Sequence, residues 1–391
     1  MSDTTLSAVQ SASILALSGD THRATAALLE PVSGSYRLIG WESWESPGGS
    51  NSALAQSLRA AAQRLGERLG RPLWDESQDS PVMAAPDPAL HLGLGHVVAA
   101  VDPLPPLRVW IGGLTGEESL AGAQAALDAT ICQTVALYRY GLGGGPDRLA
   151  EDLNDCRPDL AVLVGGYDKS GGTARRAVLE LCNEVAQALD RLAVGSRPAL
   201  YFAGNRWAAA QALEMMARLS GGLSADAVEN VSPGPGQHRA TSLAVATSRL
   251  YWRRCRATPA VQSINRWITP PSEVRTLSWS FAQAVRLWRQ VHALPALHGL
   301  FCAGPLWIHV RALDGEEGVR MRFVPAHTRP ATLNGWPPLR LVSGPWPQAL
   351  WPRVRGCWWD AEGLLPTVAN AGQIDPLIAY QVLAQDLLRE L

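Results

Sequence analysis

The sequence predicts an α/β protein with mixed sheets, and three observations predict it. The chain opens with three alternating runs separated by turn residues, which reads as an antiparallel meander. Its centre repeats an apolar strand followed by a helical pattern, which implies parallel strands with right-handed crossovers. Its 391 residues exceed what one hydrophobic core ordinarily organises, so two lobes are expected.

The meander is "SILALSGD", "THRATAALLE" and "YRLIGWESW" within 12–44. "ALAQSLRAAAQRLGERLG" (53–70) places apolar residues at helical spacing and stops at Gly70. "ALHLGLGHVVAAVDP" (89–103) and "LRVWIGGL" (107–114) read as strands that pair with each other. "TGEESLAGAQAALDATICQTVALYRYG" (115–141) reads as one long helix, with Thr115 and Glu118 at capping-box spacing. "GLGGGPD" (141–147) is a joint, and 147–159 is an amphipathic helix. Strand 160–164, helix 173–194, strand 198–205 and helix 206–220 follow. "SPGPGQHRAT" (232–241) is a loop and the expected boundary, giving lobes at 12–235 and 236–391. Beyond it come helices at 241–255 and 270–293, the second capped by Ser272, and strands within 297–315 and 318–326. The last helix, 375–391, has Asp375 as cap and Pro376 at its first position.

Composition excludes several classes. Net charge is −1, so the chain as a whole carries no electrostatic footprint for nucleic acid or an acidic membrane. The basic cluster "YWRRCRATP" (251–259) reads as a solvated or partner-facing helix face. No apolar run reaches the roughly 20 residues that span a bilayer. The N-terminus carries an early acidic residue and no basic region, so it does not read as a secretory leader, and a cytoplasmic location is expected. The six cysteines lack CxxC spacing and read as small buried apolar residues. The histidines show neither HExxH spacing nor a triad. No metal site is implied.

Chemistry concentrates in "LVGGYDKSGG" (163–172), which lies between a strand and a helix and holds Lys169, the only lysine of the chain. Gly165, Gly166, Gly171 and Gly172 let backbone amides approach a phosphate, and the helix start adds favourable dipole charge. Yet the run is neither GxGxxG nor GxxxxGK[ST]. Glycines after a strand equally serve a turn that needs positive φ, and spacing leaves both readings open. The hairpin "LALSGDTHRATAALLE" (15–30) puts Ser18, Asp20, Thr21 and His22 in a small polar turn. That is an ordinary turn composition or a phosphate grip.

Five stretches together resemble the glutamate mutase L accessory-protein family: 14–30, "LGERLGRPLWDE" (65–76), "VWIGGLTGEESLAGAQAALDAT" (109–130), "RPDLAVLVGGYDKSGG" (157–172) and "ALYFAGN" (199–205). The glycine run followed by Gly204 and Asn205 is the most specific pair, and "GLFCAGPLWIHV" (299–310) falls at the family's second phosphate hairpin. The resemblance implies an actin-like, ribonuclease-H-like two-lobed ATPase fold. It implies ATP with Mg²⁺ between the lobes, and a role as chaperone or reactivating factor of an adenosylcobalamin-dependent aminomutase. Carried onto this chain, the nucleotide contacts are Ser18, Asp20, Thr21, Gly165, Gly166, Asp168, Gly171, Gly172, Gly204 and Asn205; Lys169, in the same loop, is a candidate contact that the family pattern does not supply.

The departures bear on activity. The family's first hairpin reads Asp-x-Gly-Ser-Thr; this chain has Ser18 for the Asp and Asp20 for the Gly. The second hairpin keeps Gly304 and has no carboxylate. Those carboxylates hold hydrated Mg²⁺ and orient the attacking water. Lys169 and Ser170 form a local insertion, and Tyr167 replaces a small hydroxyl residue. The expectation is therefore a degenerate, non-hydrolysing relative that acts by binding a protein, either a mutase or another copy of itself. The alternatives are an active ATP-dependent mutase chaperone, with Asp20 replacing the lost carboxylate, and a structural subunit of a larger complex. Fifteen tryptophans, several of them in 336–359, suggest an interface segment.

Overall fold

A computed structural model describes residues 12–46, 53–83, 93–142, 144–169, 171–219, 225–303, 306–315 and 318–325. It is a mixed α/β protein built on three main sheets. The meander forms as its alternation demands: β1 (Ile14–Asp20), β2 (Arg23–Val32) and β3 (Ser35–Glu45) run antiparallel. Helix α1 (Ala53–Leu69) ends at Gly70, whose φ of +63° suits glycine. A two-strand ribbon, β4 (Trp74–Asp75) and β5 (Ser80–Pro81), follows. Strand β6 (His96–Asp102) then joins β1 in parallel, giving the order β3-β2-β1-β6. Leu15, Leu17, Ala24, Ala26 and Val97 bury one face of this sheet with Leu58 and Leu65 of α1.

The second sheet is parallel throughout. Strand β7 (Leu107–Gly113) does not pair with β6, as its sequence suggested; it lies between β8 (Cys132–Arg139) and β9 (Leu160–Val164). With β10 (Ala199–Phe202) and β11 (Ala225–Ala227) the order is β11-β10-β9-β7-β8. Numbered from β7, this is the doubly wound order 2-1-3-4-5. All five residues of β9 are buried, as a central parallel strand requires. Helices α2 (Ala121–Leu127), α3 (Gly145–Cys156), α4 (Gly172–Asp190) and α5 (Ala209–Leu219) make the crossovers. The last three share a core with Trp110, Leu163 and Phe202.

The long helix expected over 115–141 is broken. One π turn, Gly116–Leu120, leads into α2, and the chain then enters β8. The run from Ile131 to Tyr140 is rich in β-branched and aromatic residues, and pairing with β7 outweighs its helical apolar spacing. Glu118 makes no capping box; Thr115 Oγ1 instead accepts from the Ser119 amide, and Thr115 N–H donates to Ser119 Oγ.

Next come α6 (Thr241–Arg256), α7 (Pro259–Asn265) and α8 (Leu277–Val291). The N-cap position of α8 is Thr276 rather than Ser272. Strands β12 (Ala296–Ala303), β13 (Leu306–Leu313) and β14 (Arg320–Pro325) form an antiparallel sheet packed by α8. The expected 12–235 lobe thus contains two separate sheets, which part at 103–106. The Trp-rich run 336–359, the helix at 375–391 and Gly304 lie outside the described residues.

Candidate functional site

In doubly wound sheets, ligands sit at the carboxyl ends of the strands, where the strand order reverses. Here that point lies between β7 and β9. The glycine loop leaves β9, and the Thr115–Ser119 turn leaves β7. Gly165 and Gly166 hold φ of +131° and +75°, so both need glycine. A Cβ on Gly165 would meet Leu114 Cγ at 2.7 Å, and one on Gly204 would meet the Gly165 carbonyl at 2.7 Å. These glycines are therefore fixed by close packing.

The polar groups beyond them bind one another. Asn205 is buried; its Nδ2 donates to the Tyr167 carbonyl at 2.6 Å, while its Oδ1 accepts from the Trp207 and Ala208 amides at 2.9 and 3.1 Å. Asn230 follows the next strand in the same way. Its Nδ2 donates to the Gly166 carbonyl and to Asp168 Oδ1, each at 2.9 Å, and its Oδ1 accepts from the Ser232 amide. Asp168 Oδ1 also accepts from the Arg206 amide at 3.0 Å. The Asp168 amide, a donor that a phosphate cradle would present, bonds the Pro233 carbonyl at 3.0 Å. Ser232 and Pro233 are buried, and Ser232 Oγ donates to the Glu118 carbonyl. The chain's own 231–233 segment thus occupies the space between the β7 turn and the β9 loop.

The other predicted contacts fall elsewhere. Lys169, Gly171 and Gly172 are exposed, and a Cβ on either glycine would meet open space. Ser18, Asp20 and Thr21 sit at the end of β1, on the first sheet, whereas the glycine loop belongs to the second. Asp20 closes the hairpin turn, accepting from the His22 and Arg23 amides at 2.7 and 3.0 Å. Its parallel partner in register is Asp102, at the end of β6. Asp102 caps α8 across the fold, accepting from the Leu277 amide at 3.0 Å, the Ser278 amide at 2.8 Å and the Ser278 hydroxyl. Burial pushes the Asp102 carboxyl up to about 6, against these hydrogen bonds, and the Asp20 charge adds to the rise.

Sequence reading missed Asp102, Asn230 and Ser232. A signal existed for Asn230, since asparagines at 205 and 230 each follow a strand that leads to the same edge. Among the described residues no cluster of three His, Cys, Asp or Glu could hold a metal ion, and no helix is long and apolar enough to cross a membrane.

No protein-family model matches the chain, and no curated protein matches its sequence. Among solved structures, Acetone Carboxylase in its nucleotide-free form, titled for ATP-dependent acetone carboxylation, aligns over 81% of this chain at 9% identity and a TM-score of 0.35. This chain spans 48% of that protein. T. thermophilus RuvC in complex with a Holliday junction substrate aligns over 63% of this chain and 98% of its own, at 11% identity and a TM-score of 0.15.

Proposed function

We propose that this chain is a non-hydrolysing accessory protein that works by binding a protein partner. One observation carries the reading: the donors and acceptors at the carboxyl edge of the second sheet are engaged with one another, and the switch point holds the 231–233 segment. A phosphate there would have to displace the Asp168–Pro233 bond and expel a buried loop. Exposed apolar side chains support the partner half of the reading. Leu38 and Trp41 project from the edge strand β3, and Leu287, Trp288 and Val291 from α8. The partner class comes from the resemblance to glutamate mutase L accessory proteins: an adenosylcobalamin-dependent aminomutase.

Calorimetric titration with ATP and Mg²⁺, on the wild-type chain and on Lys169→Ala, tests the first half. The reading expects no saturable heat in either. Micromolar binding that disappears in Lys169→Ala would make the glycine loop a nucleotide site and favour the active chaperone. Sedimentation of the chain with an aminomutase tests the second half, and the absence of a complex would remove the proposed partner.

A further inference from the structure

We infer that the first sheet carries a pocket for a small apolar carboxylate, on the face opposite α1. A hollow of about 360 Å³ opens there between β1, β6 and the 272–280 segment. That volume lies at the lower end of the range seen for small-molecule sites. Its floor is made of short side chains: parallel register sets Ala16 beside Val98 and Ser18 beside Ala100. These positions alternate with Leu15, Leu17, Val97 and Val101, which are buried in the α1 core.

Arg275 extends the same ladder. Its amide donates to the Ala99 carbonyl at 3.0 Å, its carbonyl accepts from the Val101 amide at 2.8 Å, and it bridges Ala100 in parallel. Residues opposite one another in a ladder share a face, so Arg275 emerges over the floor, while its neighbour Val274 is buried in the α1 core. Ser18, Ala100 and Arg275 therefore form one row across the hollow. Glu273, also on the lining, is paired with Arg256 at 3.1 Å. Arg275 makes no ion pair among the described residues. The lining thus carries one unbalanced charge, and it is positive. A guanidinium fork suits a carboxylate, the Ser18 hydroxyl adds a donor on the same row, and the Ala16–Val98 floor takes an aliphatic chain.

The pocket shares Ser18 with the expected nucleotide contacts but no residue of the glycine loop, and its test uses no nucleotide, so the two readings can fail separately. Hexanoate serves as the probe, titrated by calorimetry and followed by methyl NMR of Val98, with hexanamide as the uncharged control. The expected result is saturable hexanoate binding that shifts the Val98 methyls and weakens at least about tenfold in Arg275→Gln. Hexanamide should lose a similar factor. Arg275 is exposed, so the variant is expected to fold, and circular dichroism checks that it does. Four results would each overturn the inference: no saturable binding, binding that leaves Val98 unmoved, equal affinity for hexanamide, or unchanged affinity in Arg275→Gln.

Discussion

The substitution Asp102→Asn should change how stability depends on pH, with a sign that follows from burial. In the folded chain Asp102 is 7% exposed, and its pKa rises from the ordinary 3.8 to about 6. A folded value above the unfolded one means that the native state holds the proton more tightly. The stabilisation is complete below about pH 4 and is lost as the pH rises through about 6. At about 1.4 kcal/mol per tenfold change in proton affinity, the loss is on the order of 3 kcal/mol. The asparagine keeps one oxygen, which can accept on the Ser278 side; its Nδ2 then faces the Leu277 amide, so that cap bond is lost at every pH, and the side chain has no proton to lose. Urea unfolding of both proteins from pH 4 to pH 8, read by far-UV circular dichroism and by tryptophan fluorescence, measures the difference. Titrating groups distant from Asp102 cancel in that difference, while Asp20, its neighbour in register, is coupled to it and contributes to the change. The variant should gain on the wild type by on the order of 3 kcal/mol between pH 4 and pH 7. A difference that stays flat across this range would refute the argument that burial dominates the charge of Asp102. A difference that moves the other way would show that the three hydrogen bonds it accepts from α8 win.

Two further predictions concern the second sheet and the cysteines. Asn205→Ala removes three hydrogen bonds of a buried side chain, one to the β9 loop and two that close the turn after β10, and should cost on the order of 2–4 kcal/mol in urea unfolding; a cost under about 0.5 kcal/mol would mean that the loops hold without it. Burial pushes the Cys132, Cys182 and Cys255 thiols up to about 12. Iodoacetamide at pH 8, mapped by mass spectrometry, should therefore modify them only on unfolding. Half-buried Cys156 should react before them, and early labelling of the other three would show that their cores open readily.

Local pattern carried a good deal of the fold. Strand 160–164 appears as Leu160–Val164, and α6 covers the helix expected at 241–255. The errors fall where one pattern served two structures. From 115 to 141 apolar residues recur at helical spacing, but the second half is β8, because an open flank of β7 was available to pair with it. The start of α8 was misplaced because its capping carboxylate, Asp102, lies 175 residues earlier in the chain than Leu277. A cap supplied from that distance leaves no local mark.

The glycine loop divides in the same way. Residue order alone was enough to read 163–172 as a strand end, a glycine-rich loop and a helix start, because φ preferences and apolar periodicity act over a few residues, but it left open whether the glycines serve a phosphate or a turn. It was enough, too, for the near-neutral charge and the type of most elements. Three features waited on the folded chain: β6 and β7 part into different sheets, Asp20 stands beside Asp102, and Asn205 and Asn230 reach back to the β9 loop at the Tyr167 carbonyl and Asp168, next to Pro233. Each of these is a relation between segments far apart in the chain. Their hydrogen bonds and packing are set by which strand edges meet, and strand order leaves almost no trace in local residue choice.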